Sequence, residues 1–167
     1  MRADADGARE AALKALERTR RTRRELERRL AERDFEPGVI AGVLDRLEQV
    51  GLIDDLEYAR AFLREKLARR AVGARLLRGQ LLARGVSGAM VDQAMEELAA
   101  ANRDDTGTRP EVERARRAIA QFARRYARLD PRTRRQRLSA ALVRRGFDYD
   151  TVAEALASEA VESAARR

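Results

Sequence analysis

Arginine supplies most of the chemistry this chain can offer. It holds 36 Lys+Arg against 28 Asp+Glu, a formal net charge of +8, with no histidine and no cysteine. Only Lys14 and Lys66 are lysines, so nearly every cation is a planar guanidinium. Such a fork grips phosphate or carboxylate with two prongs and stacks on flat groups, as an ammonium cannot. A GC-rich coding sequence accounts for much of the preference; the physical consequence is the same. The cations gather as Arg20, Arg21, Arg23 and Arg24; as Arg69, Arg70, Arg75 and Arg78; as Arg124, Arg125 and Arg128; and as Arg132, Arg134, Arg135 and Arg137. A solvated face is the default for each cluster. Residues 109–145, however, hold 13 arginines against Glu111, Glu113 and Asp130, more than solubility requires, and contact with a polyanion is favoured there. The candidate binding residues are Arg20, Arg21, Arg24, Arg33, Arg70, Arg75, Arg84, Arg124, Arg125, Arg132, Arg134, Arg135, Arg137, Arg144 and Arg145.

Other chemistries are poorly served. Without histidine the usual general base near neutral pH is missing, and without cysteine neither a disulfide nor a thiolate metal site can form. A nucleophile would have to be Ser, Thr or a carboxylate, and no GxSxG, P-loop or GxGxxG pattern is present. Asp54, Asp55 and Glu57 form the one acidic cluster that suggests a divalent metal. Carboxylates capping a helix start, facing the positive end of its dipole, are the favoured reading. A non-enzymatic protein with no cofactor is expected. Aromatic groups that could stack on bases reduce to Tyr58, Tyr126 and Tyr149, so electrostatic contact with a backbone is the most that composition supports.

These residues must be positioned by elements, and the elements repeat. Leu26, Leu30, Phe35, Ile40 and Leu44 recur as Leu77, Leu81, Val86, Val91 and Met95, then as Leu138, Leu142, Phe147, Val152 and Leu156. The ungapped spacing marks supersecondary units that bury their apolar faces only by stacking. Each unit reads as helix, tight turn, helix. Gly85 and Gly146 supply the turn in two copies and Asp34 replaces glycine in the first; Ser87 and Asp148 cap the following helix, while Glu36-Pro37 opens it in copy one. Arg33, Arg84 and Arg145 fall at one position of all three copies. A cation there suits a helix C-terminus or a bound anion, and both readings stand. A further helix precedes each pair: Ala12, Leu13 and Leu16; Ala59, Phe62, Leu63 and Leu67; Val112, Ala115, Ile119, Phe122 and Tyr126. Thr22 to Glu25 and Asp54 to Glu57 have capping-box spacing, and Asp130-Pro131 starts a helix.

The reading is therefore all-α, a tandem array of three three-helix repeats with about nine helices, elongated and curved. Residues 7–50 form repeat one and 51–100 repeat two. A polar link spans 101–109, and the most basic repeat spans 110–162, the chain fraying beyond. No apolar run suits a signal peptide or a bilayer span, so a cytoplasmic chain with no membrane contact, monomeric, is expected.

Residues 26–98 resemble the RecX family of bacterial recombination regulators. The likeness rests on Arg23-Arg24-Glu25-Leu26 before Leu30, Val43-Leu44-Asp45-Arg46-Leu47, Gly51-Leu52-Ile53-Asp54-Asp55-Leu56-Glu57-Tyr58-Ala59 with Phe62, and Leu81-Leu82-Ala83-Arg84-Gly85-Val86. The resemblance implies a helical-repeat protein, active in homologous recombination, DNA repair and the SOS response. It would lie in the groove of the RecA filament on single-stranded DNA, lowering ATP hydrolysis, strand exchange and coprotease activity. Asp34 in place of a common glycine and the insertion at 101–109 depart from the family pattern. Two other readings remain: a sequence-independent nucleic-acid-binding helical protein without a filament partner, and a helical adaptor kept soluble by its arginines.

Overall fold

The computed structural model describes residues 4–101 and 109–165. Among them are nine α-helices: α1 (Ala5–Arg18), α2 (Arg23–Ala31), α3 (Pro37–Gln49), α4 (Asp55–Arg69), α5 (Ala74–Ala83), α6 (Gly88–Ala101), α7 (Pro110–Tyr126), α8 (Pro131–Arg144) and α9 (Tyr149–Ala165). Ala101 closes α6 and Arg109 precedes α7; the rest of the expected link lies outside the described residues. Helix α9 runs on to Ala165, past residue 162.

The helix starts follow local chemistry. Thr22 and Glu25 complete a capping box at α2. The Oδ1 of Asp54 accepts from Glu57 N–H at 2.8 Å, that of Asp130 from Thr133 N–H at 3.0 Å, and that of Asp148 from Thr151 N–H at 2.7 Å. Ser87 Oγ accepts from Met90 N–H at 3.3 Å. At α3 no side chain caps; Pro37 at the first turn makes one amide unnecessary. The turns between second and third helices carry positive φ at Asp34 (62°), Gly85 (87°) and Gly146 (87°), so aspartate does adopt the left-handed conformation that glycine takes in the other copies.

Fourteen of the fifteen template positions are buried; Met95 is half-buried. Each fully buried leucine contributes roughly 1.5–3 kcal/mol of transfer free energy. In the first repeat the stripe of α1 differs from expectation. Ala8, Ala12 and Ala15 face inward, whereas Leu13 and Leu16 are only partly buried against the core. Small side chains let α1 approach α2 and α3 closely, so the inward face is the alanine one.

The chain divides into two compact units. The first runs to Phe62 and takes in Leu81–Ala94; the second holds Leu63–Gln80 and the chain from Met95 onward. In the first, Leu26, Leu30, Phe35, Ile40, Leu44 and Ile53 gather among α1, α2 and α3. In the second, Val112, Ile119, Leu138, Leu142, Phe147 and Leu156 fill the space among α7, α8 and α9, with Ala71 beside them.

Within each unit one joint recurs. In the first, Thr22 Oγ1 donates to the Arg84 carbonyl at 2.6 Å, and a Cβ on Gly85 would lie 2.4 Å from Cβ of Arg24. In the second, Gly73 N–H donates to the Arg145 carbonyl at 2.9 Å and Arg75 N–H to that of Gly146 at 3.2 Å. A Cβ on Gly146 would lie 2.5 Å from the Leu76 backbone nitrogen. Thr22 and Gly73 hold equivalent places four residues before Leu26 and Leu77. Thus the turn of one repeat seats on the start of the second helix of the repeat before it. Helix α8 differs: its cap, Asp130, stands eight residues before Leu138, so it begins one turn earlier.

Candidate anion-binding surface

The fold assigns the predicted arginines different work. In the first unit Arg20, Arg24 and Arg33 are exposed, and Arg20 pairs with Glu57 at 3.3 Å. Arg21 is half-buried, its Nε enclosed without a hydrogen-bond partner. Arg84 lies 4.9 Å from the centroid of Phe62, and its Nε is 4.0 Å from Glu25 Oε1. Tyr58 stacks on the same ring at 6.4 Å, and burial pushes its hydroxyl above the usual tyrosine range, Glu25 adding to the effect.

The second unit repeats this arrangement. Arg145 lies 4.5 Å from the centroid of Phe122 and donates to Gln121 Oε1 at 2.7 Å; Tyr126 stacks on Phe122 at 6.0 Å. A guanidinium over an aromatic face contributes about 0.5–2 kcal/mol. Arg84 and Arg145 are therefore occupied inside the fold. In repeat one the place corresponding to Phe62 is Ala11, and Arg33 is exposed.

Elsewhere in the second unit Arg70, Arg75, Arg124, Arg125, Arg132, Arg135, Arg137 and Arg144 are exposed. Arg125 reaches its neighbour Tyr126, 5.8 Å from the ring centroid. Arg134 is half-buried and pairs with Glu159 at 2.7 Å, which takes it out of the cluster it forms in sequence. Arg132 and Arg135, three residues apart, share one face of α8.

Three arrangements escaped the sequence. Arg23 binds Asp45 at 2.6 Å and Glu48 at 2.5 Å, and its N–H donates to Asp55 Oδ1 at 2.9 Å. The hydrogen bond to Asp45 raises its already high pKa further, against burial. Arg109 pairs with Glu154 across the start of α7 and α9. Arg114 and Arg117, which belong to none of the four clusters read from the sequence, line a small hollow with Arg69 and Arg70. The spacing of Arg114, Arg117 and Gln121 was readable as one helical face; its meeting with α4 was not.

The acidic cluster is structural. Asp54 caps α4, and Asp55 accepts from Arg23. Burial raises the Asp55 pKa above the usual carboxylate range, partly offset by that backbone hydrogen bond. Among the described residues no group of acidic side chains could hold a metal ion, and no helix is long and apolar enough to cross a membrane.

Trios of helices joined turn-to-helix, with arginines exposed on their surfaces, define a helical-repeat protein. Family models for the first, second and third three-helix domains of RecX match residues 8–47, 54–95 and 110–156, in that order. The chain belongs to the RecX family. It is 34% identical to the regulatory protein RecX of Halorhodospira halophila over 158 residues, covering 93% of this chain and 90% of that one. It is 35% identical to that of Mycolicibacterium vanbaalenii over 162 residues, covering 91% and 84%. The fold is similar to the crystal structure of RecX from Lactobacillus salivarius, with a TM-score of 0.81 at 22% identity, covering 92% of this chain and 95% of the other. The relatives named are regulatory proteins.

Proposed function

We propose that this chain is a non-enzymatic regulator that binds RecA in the cytoplasm, in the groove of its filament on single-stranded DNA. There it lowers ATP hydrolysis, strand exchange and coprotease activity. The observation that carries the reading is the three RecX domains matched in order along the chain. The exposed arginines Arg124, Arg132, Arg135 and Arg137 support it, since they lie at the surface where a phosphate backbone or acidic partner side chains can reach them. The same surface favours, as the second reading, sequence-independent nucleic-acid binding with no filament partner.

One assay separates the two. Substoichiometric protein is expected to slow ATP hydrolysis by the host RecA on single-stranded DNA, and R132A/R135A/R137A to weaken this while helix content stays unchanged. No inhibition at large excess, with affinity for bare single-stranded DNA that falls steeply with salt, would establish the second reading instead.

A further inference from the structure

In the second unit the end of α4 meets the middle of α7 around a cavity of about 140 Å³. Its walls carry Arg69, Arg70, Arg114, Arg117 and Gln121, with Ala71 beside them. Four arginines line so small a space, and like charges brought that close repel one another. Arg114, Arg117 and Gln121 lie three and four residues apart, on one face of α7. Arg114 is half-buried, and its Nε is enclosed without a hydrogen-bond partner. Burial lowers its pKa; Glu111 opposes the shift and Arg117 adds to it. Glu111 also accepts the Ala74 N–H at 2.7 Å, so that carboxylate is shared with the backbone. The carbonyl end of α4 explains Arg69 and Arg70, and Glu65 pairs with Arg69 at 3.3 Å. Neither accounts for Arg114 and Arg117, which sit in mid-helix. Gln121 completes the lining: its Oε1 accepts from Arg145, which leaves its amide NH2 as a donor.

We infer that Arg69, Arg70, Arg114, Arg117 and Gln121 form a phosphate-binding pocket. A tetrahedral oxyanion offers enough acceptor oxygens for several forks at once and charge to offset their repulsion, whereas a lone carboxylate offers two oxygens. The volume suits a phosphate group with a few waters and falls below the roughly 300 Å³ at which pockets enclose whole small molecules. The phosphate comes either free from solution or from a nucleic-acid strand. The site stands independently of any filament partner, since it rests on the cavity alone.

The test uses the full chain and inorganic phosphate, titrated calorimetrically at an ionic strength held constant with sodium chloride. Saturable binding is expected, with a rise in melting temperature that chloride does not give. Arg70→Gln and Arg117→Gln, both at exposed positions, should each weaken binding about tenfold, the loss of one charge-assisted hydrogen bond. Arg28→Gln, on α2, should not. Competition with an oligothymidylate bearing or lacking a 5′-phosphate then assigns the source. Displacement by both means an internal phosphodiester; by the phosphorylated strand alone, a strand end; by neither, free phosphate. Stabilisation by phosphate no greater than by chloride would overturn the pocket, as would equal losses in Arg28→Gln and Arg117→Gln.

Discussion

Asp55 answers two opposed demands. Its Oδ1 must accept the Arg23 N–H that tethers α2 to α4, yet burial makes its negative charge costly. A carboxylate with a raised folded pKa favours folding fully only below its ordinary pKa, and loses that advantage as pH climbs through the raised value. At pH 7 the charge is therefore a cost. Asp55→Asn keeps the acceptor and removes the charge, so it should melt at the same or a higher temperature at pH 7. Asp55→Ala loses the bond and should cost about 1 kcal/mol. Melts followed by circular dichroism decide; a lower temperature for Asn would show the charge itself to be stabilising. Asp130 and Asp148 are the reverse case. Backbone and side-chain hydrogen bonds from Thr133 and Thr151 hold their pKa values below the usual range. Their contribution is present above the ordinary carboxylate pKa and fades as pH drops through the folded values.

Turns make the corresponding case among elements. Gly51 and Gly146 both have positive φ, but a Cβ on Gly51 would meet nothing within 4 Å, whereas one on Gly146 would strike Leu76. Gly51→Ala should cost only the left-handed penalty, roughly 1–2 kcal/mol. Gly146→Ala should cost clearly more, because the joint must open; equal losses in denaturant melts would mean that the joint contributes nothing. This contrast also marks where the sequence stops being readable. The leucine spacing, caps and turn residues are local signals, and they placed the helices and nearly all the core. The joint is not local. Thr22 reads as a cap and is one, but its second bond, to Arg84, spans 62 residues. For the candidate site the loss was greater. Charge counting found exposed Arg132 and Arg135 but could not foresee that Glu159 engages Arg134, or that Phe62 and Phe122 hold Arg84 and Arg145. The inward choice of Ala8, Ala12 and Ala15 over Leu13 and Leu16 was hidden for another reason: close helix approach rewards small side chains, which a hydrophobicity pattern ranks low.

Across the whole molecule, the departures from the repeat fall in its first and third copies. Asp34 holds the turn place of Gly85 and Gly146 but is exposed, whereas a Cβ on either glycine would strike a neighbouring helix start. A Cβ there costs conformational strain without obstructing a joint. Asp34→Gly should relieve that strain and raise stability by at most about 1 kcal/mol, the looser unfolded chain offsetting part of the gain. A lower melting temperature would show that the aspartate side chain itself holds the turn. In the third copy α8 starts one turn ahead of α2 and α5, so Arg134, four residues before Leu138 as Thr22 and Gly73 are before Leu26 and Leu77, lies inside a helix instead of at its start. An engineered extra repeat is therefore best inserted ahead of the third, where a helix start meets an Arg-Gly turn as Thr22 meets Arg84 and Gly73 meets Arg145.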